Sequence, residues 1–372
     1  MPTPAPSARA SRFVSIGAAY ARAGRHAPGF DSLRIAAATL VVWHHSTALT
    51  QDILRADPLY RLSEGYTTLG FFAVSVFFCI SGFLVTPGLA KNGDVVGYLS
   101  RRFMRVMPLL AVVVITTFLV IGPLATRLPM EAYFSDPRSW AYLRNITTSL
   151  SLELPGVTMQ DGENRVNGAL WTMRYEVLCY LVLALLAAFR LLRARWVMLA
   201  VWLGASATTV VTFGGQGAPS SQFLTLCHLF AYFGAGVLLW LFRERLPAHP
   251  LLFVLAAALL VVAWAGGLGP WLSPLLTAYL VAGLGLLPMP WSERLSRVDP
   301  SYGIYLWHGP AMALVLAAWR PDHHAWLFAA TMAATLPLAL ASWFALEKPA
   351  LARKSWPVDL LRSAPWFRKA AR

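Results

Sequence analysis

Two adjacent histidines, His44 and His45, lie in the hydrophobic stretch TLVVWHHSTAL, and Arg34 precedes His45 by eleven residues. Eleven residues of α-helix make three turns and a small remainder, so Arg34 and His45 share one helix face about 16 Å apart, while His44 points about 100° away. Imidazole is the side chain that exchanges a proton near neutral pH without a large perturbation. The spacing therefore indicates either a chemical role for His45, or a snorkelling arginine combined with a histidine that hydrogen-bonds a neighbouring helix.

Two further segments place polar side chains on predicted helices. In GFFAVSVFFCISGFLV, Ser81 has no local base, so a polar lining or packing role is favoured over that of a nucleophile. In YLSRRFMRVMP, Arg102 and Arg105 stand one turn apart where a helix begins. This spacing favours anchoring at the cytoplasmic interface, and the alternative is a phosphate clamp, because guanidinium groups bind phosphate through paired hydrogen bonds.

Two other segments carry a carboxylate and a histidine. NGALWTMRYEVLCYL opens a predicted span, and Arg174 and Glu176 lie roughly 8 to 12 Å along that helix. A carboxylate at this depth is protonated, paired or hydrated, so Glu176 is a candidate to orient a histidine, to bind a sugar hydroxyl, or to pair with an arginine. SYGIYLWHGP places His308 about two turns into another helix, before a predicted kink at Pro310, and makes it a candidate cofactor or substrate contact.

The histidines and cysteines do not form a metal-binding pattern. The histidines lack convergent cysteine or carboxylate partners at ligand spacing, so no metal site is predicted. Cys79, Cys179 and Cys227 fall inside predicted spans and are expected to be free, since isolated buried cysteines behave as small hydrophobic residues. The lone His228, in CHLFAYFGAG, is interpreted as a packing residue.

The elements that position these residues are predicted to be transmembrane helices. Of the 372 residues, 57% are hydrophobic and 13% are charged, against about 25% charged in soluble domains. A bilayer-spanning helix needs about 20 mainly apolar residues, and such stretches recur along nearly the whole chain. The predicted fold is an all-α integral membrane protein with about ten transmembrane helices in one polytopic bundle. The predicted spans are residues 30–50, 69–90, 104–126, 168–189, 196–214, 222–242, 250–266, 271–288, 301–319 and 325–346.

The net charge of +14 follows the expected membrane topology. Residues 1–28 carry four arginines and no acid, and basic segments recur in alternate loops, whereas the intervening loops are neutral or slightly acidic. By the positive-inside rule both termini are cytoplasmic, and the surplus charge indicates contact with anionic lipid rather than nucleic acid. The predicted division is a disordered basic cytoplasmic tail at 1–28, a membrane domain at 29–349 with an outer loop at 127–167, and a basic cytoplasmic tail at 350–372.

Six motifs follow one another along the chain: FDSLRIAAATLVVWHH, FFCISGFL, RRFMR, LWTMRYE, SYGIYLWH and LEKPA. Their order and spacing resemble those of acyltransferase family 3, the ten-helix membrane acyltransferases that modify glycans and other carbohydrate-containing substrates. The resemblance covers about residues 30–349. The chain departs from the family pattern in LWTMRYE, where the usual pair of acids is the single Glu176 followed by Val177, and where Met173 and Arg174 replace smaller residues. These departures concern substrate preference more than the reaction.

The resemblance implies an enzyme that takes an acyl group, commonly acetyl from acetyl-CoA, at the cytoplasmic face. The acyl group is delivered to a hydroxyl on the outer side or on a lipid-linked glycan. The resemblance also implies His45 as the general base, with a transient acyl-histidine as a variant, and Glu176 as the group that orients the acceptor or His45. The other implied contacts are Arg34, Arg102, Arg105 and His308 for the acyl-CoA, and Ser81 and Arg174 for the substrate.

The favoured hypothesis is O-acetylation of a bacterial surface or exopolysaccharide glycan in the inner membrane, with acyl-CoA, membrane lipid and polysaccharide assembly proteins as partners. Acylation of a macrolide-like small metabolite is a competing hypothesis, since only the acceptor side would differ. A proton-coupled glycan transporter also fits intramembrane Arg, His and Glu side chains. The cytoplasmic arginine pair combined with the deep His45 argues against transport, and a non-catalytic scaffold has no feature in its favour.

Overall fold

Apolar segments of the chain form helices, because a backbone removed from water has to satisfy its own hydrogen bonds. The computed structural model describes residues 14–24, 27, 29–50, 56–159, 165–213, 221–287 and 298–358, and every regular element in this part is helical. The α-helices are α1 (Ile16–Ala23), α2 (Gly29–Thr50), α3 (Pro58–Leu62), α4 (Leu69–Asn92), α5 (Val95–Thr116), α6 (Gly122–Ala125), α7 (Met130–Ser135), α8 (Pro137–Ala141), α9 (Trp171–Ala188), α10 (Arg195–Phe213), α11 (Gln222–Phe242), α12 (Pro250–Ala265), α13 (Gly269–Leu286), α14 (Ser301–Ala318), α15 (His324–Ser342) and α16 (Lys348–Ala352). Wide π-turns at Thr117–Ile121 and Trp343–Glu347 extend α5 and α15, and 3₁₀ turns form at Tyr142–Thr147, Gly168–Leu170 and Leu191–Arg193.

Several of these helices are long and apolar enough to cross a membrane. Six candidate spans are found in the described residues, which agrees with the predicted all-helical, multi-pass class but is fewer than the predicted number of about ten. The helices α10 and α12 are apolar but shorter, and neither α2 nor α14 is among the six. The six candidates are Leu69–Lys91, Val95–Ala125, Gly168–Ala188, Gln222–Phe242, Gly269–Leu286 and His324–Ala352.

The helix that carries both adjacent histidines crosses the middle of the bundle. The helices α4, α13, α14 and α15 all pack against α2. His44 leaves α2 on the side of α4, where it lies against Gly70, and a Cβ atom at Gly70 would overlap the imidazole ring. His45 instead faces α14. The two histidines therefore have different neighbours, as their 100° separation predicts.

Asp57 connects the far end of α2 to the two helices that follow it. Its Oδ1 accepts hydrogen bonds from the backbone N–H groups of Leu59 and Tyr60, and Oδ2 accepts one from the N–H of Leu69 at 2.9 Å. His44 Nδ1 lies 3.3 Å from the same Oδ2. Burial alone would raise the pKa of Asp57, but His44 and these backbone donors outweigh it and hold the pKa below its ordinary value. The carboxylate thus stays ionised and fixes the starts of α3 and α4 beside His44.

Part of the segment predicted to be a disordered tail is a packed helix. Ser15 caps α1, its Oγ accepting a hydrogen bond from the N–H of Ala18 at 3.1 Å. The N–H of Ile16 donates to the carbonyl of Leu246, and the fully buried Ile16 side chain joins the core. The prediction for residues 1–28 is therefore wrong at α1, because backbone pairing and one apolar anchor outweigh the basic composition. Residues 1–13, 25, 26 and 28 lie outside the described part.

The predicted outer loop and the C-terminal tail also contain ordered structure. The segment 127–167 holds α7, α8 and a 3₁₀ turn, and Tyr133 ties it to α5 by donating a hydrogen bond to the carbonyl of Phe118 at 2.9 Å. In the C-terminal segment, Ser100 Oγ donates to the carbonyl of Lys354 at 2.5 Å, so the chain packs on α5 beyond the predicted domain end at 349. Residues 160–164 and 359–372 lie outside the described part.

Candidate active site

Two cavities adjoin opposite ends of the α2 face that carries Arg34 and His45. The first is here termed the arginine cavity and the second the histidine cavity. The arginine cavity is lined by Arg34, Ser81, Arg102, Arg105, Glu176 and Tyr180, among others. The histidine cavity is lined by His45, Leu49, Arg165, Trp171, His308 and Met312, among others. The predicted site residues are thus divided between two compartments.

An ionic cluster closes one side of the arginine cavity. Arg105 Nη2 lies 2.7 Å from Asp299 Oδ2, and Arg105 Nη1 lies 3.3 Å from Glu347 Oε2. Arg34 Nη1 lies 3.6 Å from the same Asp299 carboxylate and 3.3 Å from Asp31. Burial raises the pKa of Asp299, but Arg105 and then Arg34 outweigh it and hold the pKa below its ordinary value. Asp299 therefore pairs with both Arg34 and Arg105, two arginines for which the resemblance implies contact with the acyl-CoA.

The two acids that pair with Arg105 were not among the predicted site residues. Asp299 lies two residues before Ser301, the first residue of SYGIYLWH, and Glu347 is the acid of LEKPA. Glu347 stands at the end of the π-turn Trp343–Glu347, and π-turns are frequent at functional sites. Glu347 belongs to one of the six motifs, and Asp299 lies beside another. Only the packing of α5 against α14 and α15 shows that both acids contact Arg105.

Arg102 differs from its neighbour Arg105 in having no carboxylate partner in the described part of the chain. Its Nε atom is buried without a hydrogen-bond partner there, and its guanidinium lies 5.7 Å from the centre of the Tyr180 ring. A buried donor without a partner costs about 1–3 kcal/mol, more when it is charged. Arg102 is therefore the cation of this cavity best suited to bind an anionic group of a substrate.

Glu176 lines the arginine cavity, whereas His45 lines the histidine cavity. Tyr180 OH donates to Glu176 Oε1 at 2.5 Å and lies 3.4 Å from Ser81 Oγ. The helix α9 passes both cavities, with Trp171 at the histidine cavity and Glu176 about 7.5 Å further along the axis. Glu176 and Ser81 thus share one cavity and His45 lines the other, and the role predicted for Glu176, orienting the acceptor or His45, stays a prediction.

His45 and His308 form a hydrogen-bonded pair at the histidine cavity. His308 Nδ1 lies 3.3 Å from the carbonyl of Ile304, and since a carbonyl only accepts, Nδ1 carries the proton. His308 Nε2 then accepts, and His45 Nδ1–H donates to it at 3.0 Å. This pattern assigns the tautomer of His45 and leaves its Nε2 with a free lone pair. Nε2 faces the cavity near Gly168, where a Cβ atom would lie 3.7 Å away.

His308 contacts His45 and also lines the histidine cavity, and its predicted contact with the donor cofactor stays a prediction. The two rings are nearly parallel, at 23° and 5.0 Å between centroids. A neutral imidazole with a fixed Nδ1–H and a free Nε2 is the form required of a general base. The sequence could not reveal this pair, because the two residues are 263 positions apart.

A family model described as an acyltransferase domain matches residues 28–346 of the chain. The chain belongs to acyltransferase family 3. Nodulation protein 10 of Rhizobium leguminosarum bv. viciae is 28% identical over 371 residues, which cover 90% of this chain and 96% of that protein. An O-acetyl transferase of Shigella phage Sf6 is 23% identical over 342 residues, which cover 89% and 98% of the two chains. No solved structure matches the chain. The predicted family and the predicted enzyme class, an O-acetyltransferase, are confirmed.

Arg174 of the acyltransferase is placed outside both cavities. Its Nε donates to the carbonyl of Thr148 at 3.1 Å, and its Nη1 donates to Gln222 Oε1 at 2.9 Å. These contacts tie α9 to the 3₁₀ turn Tyr142–Thr147 and to the start of α11. These contacts give Arg174 a structural role, and its predicted substrate contact stays a prediction.

His228 and the three cysteines of the acyltransferase line neither of the two cavities. His228 is buried among aromatic rings, with its centroid 4.7 Å from that of Phe71. The three cysteines are free and buried. Among the described residues, His, Cys, Asp and Glu side chains form no group of three that would hold a metal ion.

Asn167 is a buried positioning residue that the sequence did not single out. Pro310 lies inside α14 and has no N–H, so the carbonyl of Leu306 lacks its helical donor. Asn167 Nδ2 supplies that hydrogen bond at 2.9 Å. The contact joins α14, close to His308, to the segment leading into Gly168. Pro310 predicted that a carbonyl would lack its donor, but not which side chain would replace it.

Replacing Asn167 with alanine is expected to lower the free energy of unfolding of the acyltransferase by about 1–3 kcal/mol, because the buried Leu306 carbonyl then loses its donor. Thermal unfolding in detergent measures the change. In a Pro310→Ala background the backbone N–H is restored, so the same Asn167→Ala substitution should cost clearly less. An equal cost in both backgrounds would contradict this role of Asn167.

Proposed function

We propose that this acyltransferase moves an acetyl group from acetyl-CoA to a hydroxyl of a bacterial surface glycan or exopolysaccharide. The observation that carries the proposal is the free Nε2 of His45 at one end of α2, with a cationic cavity at the other end. The similarity to an O-acetyl transferase of Shigella phage Sf6 supports acetyl as the group transferred.

The arginine cavity fits the anionic and amide-rich parts of an acyl-CoA. Arg102 offers a buried guanidinium Nε without a partner in the described residues, and guanidinium groups bind phosphate well. Ser81 and Glu176 line the same cavity and are suited to hydrogen-bond the pantetheine amides. Arg105, held between Asp299 and Glu347, shapes the cavity and keeps its positive charge in place.

The histidine cavity is proposed to hold the acceptor. The acceptor hydroxyl gives its proton to His45 Nε2 while its oxygen bonds to the thioester carbonyl carbon. The carbon–sulfur bond then breaks, and the sulfur leaves as CoA thiol after taking the proton from His45. His308 accepts the Nδ1–H bond of His45 throughout and so holds the ring in the reactive tautomer. General-base catalysis of this kind is worth about 10²- to 10⁴-fold.

The lining of the histidine cavity suits a sugar ring. Trp171 offers an aromatic face, and Arg165 adds polar contacts. Leu152, Met159 and Arg165 come from the outer segment 127–167, so this segment is proposed to cover the bound acceptor. The apolar side chains Leu49 and Met312 of the same cavity favour the second candidate acceptor, a macrolide-like metabolite.

The proposed setting is the inner membrane of a bacterium, with about ten spans and both termini in the cytoplasm. Alternation of basic and neutral loops supports this orientation. The arginine cavity then opens toward cytoplasmic acyl-CoA and the histidine cavity toward the outer side. The proposed partners are membrane lipid and polysaccharide assembly proteins.

The test compares cells that lack the endogenous gene with the same cells carrying the full chain. Labelled acetate is supplied, and ester-linked acetate is measured in the purified glycan and in solvent-extracted small metabolites. Label that appears in the glycan only with the full chain is the expected result. Label in a small metabolite would favour the second candidate, and label in neither fraction would overturn the proposal.

A further inference from the structure

A buried wall separates the arginine cavity from the histidine cavity. Thr172 Oγ1 and Tyr305 OH lie 2.6 Å apart, and both lie within 3.2 Å of the carbonyl of Ala169. These residues are at most 5% exposed. The two hydroxyl groups have two protons for these three contacts. One hydroxyl therefore donates to the Ala169 carbonyl, and the other hydroxyl donates to the first. The wall is therefore polar, internally hydrogen-bonded and closed.

The residues that line the two cavities are close neighbours at this wall. Thr172 and Tyr305 line the arginine cavity, while their neighbours Trp171 and His308 line the histidine cavity. Tyr305 and His308 lie one turn apart on α14, with 6.2 Å between ring centroids. An acyl group that enters from the arginine cavity thus meets Tyr305 and Thr172 immediately before it reaches the histidine pair.

The packing around the Tyr305 ring leaves little space for the ring to move away from the arginine cavity. Phe77 packs against it edge-on, with 5.6 Å between centroids and 70° between the ring planes. Thr172 is held from the opposite side by its bond to Ala169 at 3.1 Å. Protein interiors are packed as densely as organic crystals. Each extra methylene group at such a site therefore has to displace atoms that are already in contact with their neighbours.

We propose that Tyr305 and Thr172 set the length limit for the transferred acyl group and make the enzyme selective for acetyl over longer acyl chains. This inference rests on the proposed use of an acyl-CoA donor. An acetyl group needs only a small displacement of the wall to place its carbonyl carbon beside the histidine pair. A butyryl group carries two more methylenes into the same space.

The test measures release of free CoA thiol from acetyl-, propionyl- and butyryl-CoA by native membranes that overproduce the full chain, after subtraction of membranes without it. Wild type is expected to favour acetyl over propionyl by about 10-fold or more, since one methylene in an apolar pocket discriminates by about 10- to 200-fold. Thr172→Ser removes one methyl and keeps the hydroxyl, so the propionyl-to-acetyl ratio should rise several-fold. Thr209→Ser is the matched control, because Thr209 is a buried threonine of α10 that lines neither cavity, and its ratio should equal that of wild type.

A second variant, Tyr305→Phe, tests the same length limit independently of any folding defect in Thr172→Ser. Tyr305→Phe keeps the ring but loses the hydroxyl contact with Thr172, so the wall opens more easily and the ratio should again rise. Acetyl transfer with an unchanged ratio in both variants would overturn the length limit alone. No thiol release by wild type from any donor would instead overturn the proposed acyl-CoA reaction.

Discussion

Replacing His45 with alanine is expected to lower the rate of acyl transfer by about 10²- to 10⁴-fold, because the reaction then lacks the base that takes the acceptor proton. The membrane level of the variant should stay close to that of wild type, since His45 borders a cavity and makes one hydrogen bond to His308. Initial rates of labelled acetyl transfer, normalised to the amount of protein, measure the effect.

His44→Gln is the matched control for His45→Ala. His44 contacts Asp57 and Gly70 and lines neither cavity, so the change should affect stability more than rate. His308→Ala should reduce the rate less than His45→Ala, and the double variant should be no slower than His45→Ala alone, because both residues act through one nitrogen. Equal rates for wild type and His45→Ala would make His45 structural and refute the proposed mechanism.

Replacing Arg105 with alanine is expected to destabilise the folded protein by about 3–5 kcal/mol, because the carboxylates of Asp299 and Glu347 would remain buried without their shared cation. Both lie within 3.3 Å of its guanidinium, and their side chains are 10% and 2% exposed. The expected result is a strongly reduced membrane level and a lower unfolding temperature in detergent.

Arg102→Ala provides the contrast, although the two arginines are only one turn apart. Arg102 has no carboxylate partner in the described part of the chain, so its loss should leave the unfolding temperature near that of wild type. The KM for acetyl-CoA should instead rise about 10- to 100-fold, as expected for a charged hydrogen bond of about 1.5–3 kcal/mol. Equal losses of stability in the two variants would contradict this division of roles.

The spacing along one helix was sufficient to predict that Arg34 and His45 lie at two separate places, and the two residues line different cavities. The axial distance between residues of the same helix is set by covalent geometry, so no tertiary information is needed. The same reasoning does not extend to Glu176, because its distance from His45 depends on how α9 packs in the bundle. Nothing in the spacing of LWTMRYE states which end of α9 meets the histidine cavity.

The partners of the predicted residues were also hidden from the sequence. The bond between His45 and His308 and the bond between Arg105 and Asp299 join helices far apart in the chain. Composition misled at α1, where IGAAYARA lies between arginine-containing, polar neighbours. The cap of α1 depends on local backbone geometry, and its backbone hydrogen bond to Leu246 joins distant parts of the chain. Amino-acid composition contains neither kind of information.

The helix α2 is continuous from Arg34 to His45, so it sets the separation that the proposed donor has to span. The axial distance between these two backbone positions is fixed at about 16 Å, and a donor that reaches both side chains has to hold its phosphates and its thioester at a comparable separation. Anchoring at the arginine end then raises the effective concentration of the thioester at the histidine end, without any contact to the acyl group itself. A short thioester without phosphates would have the same reactive carbon and none of this advantage.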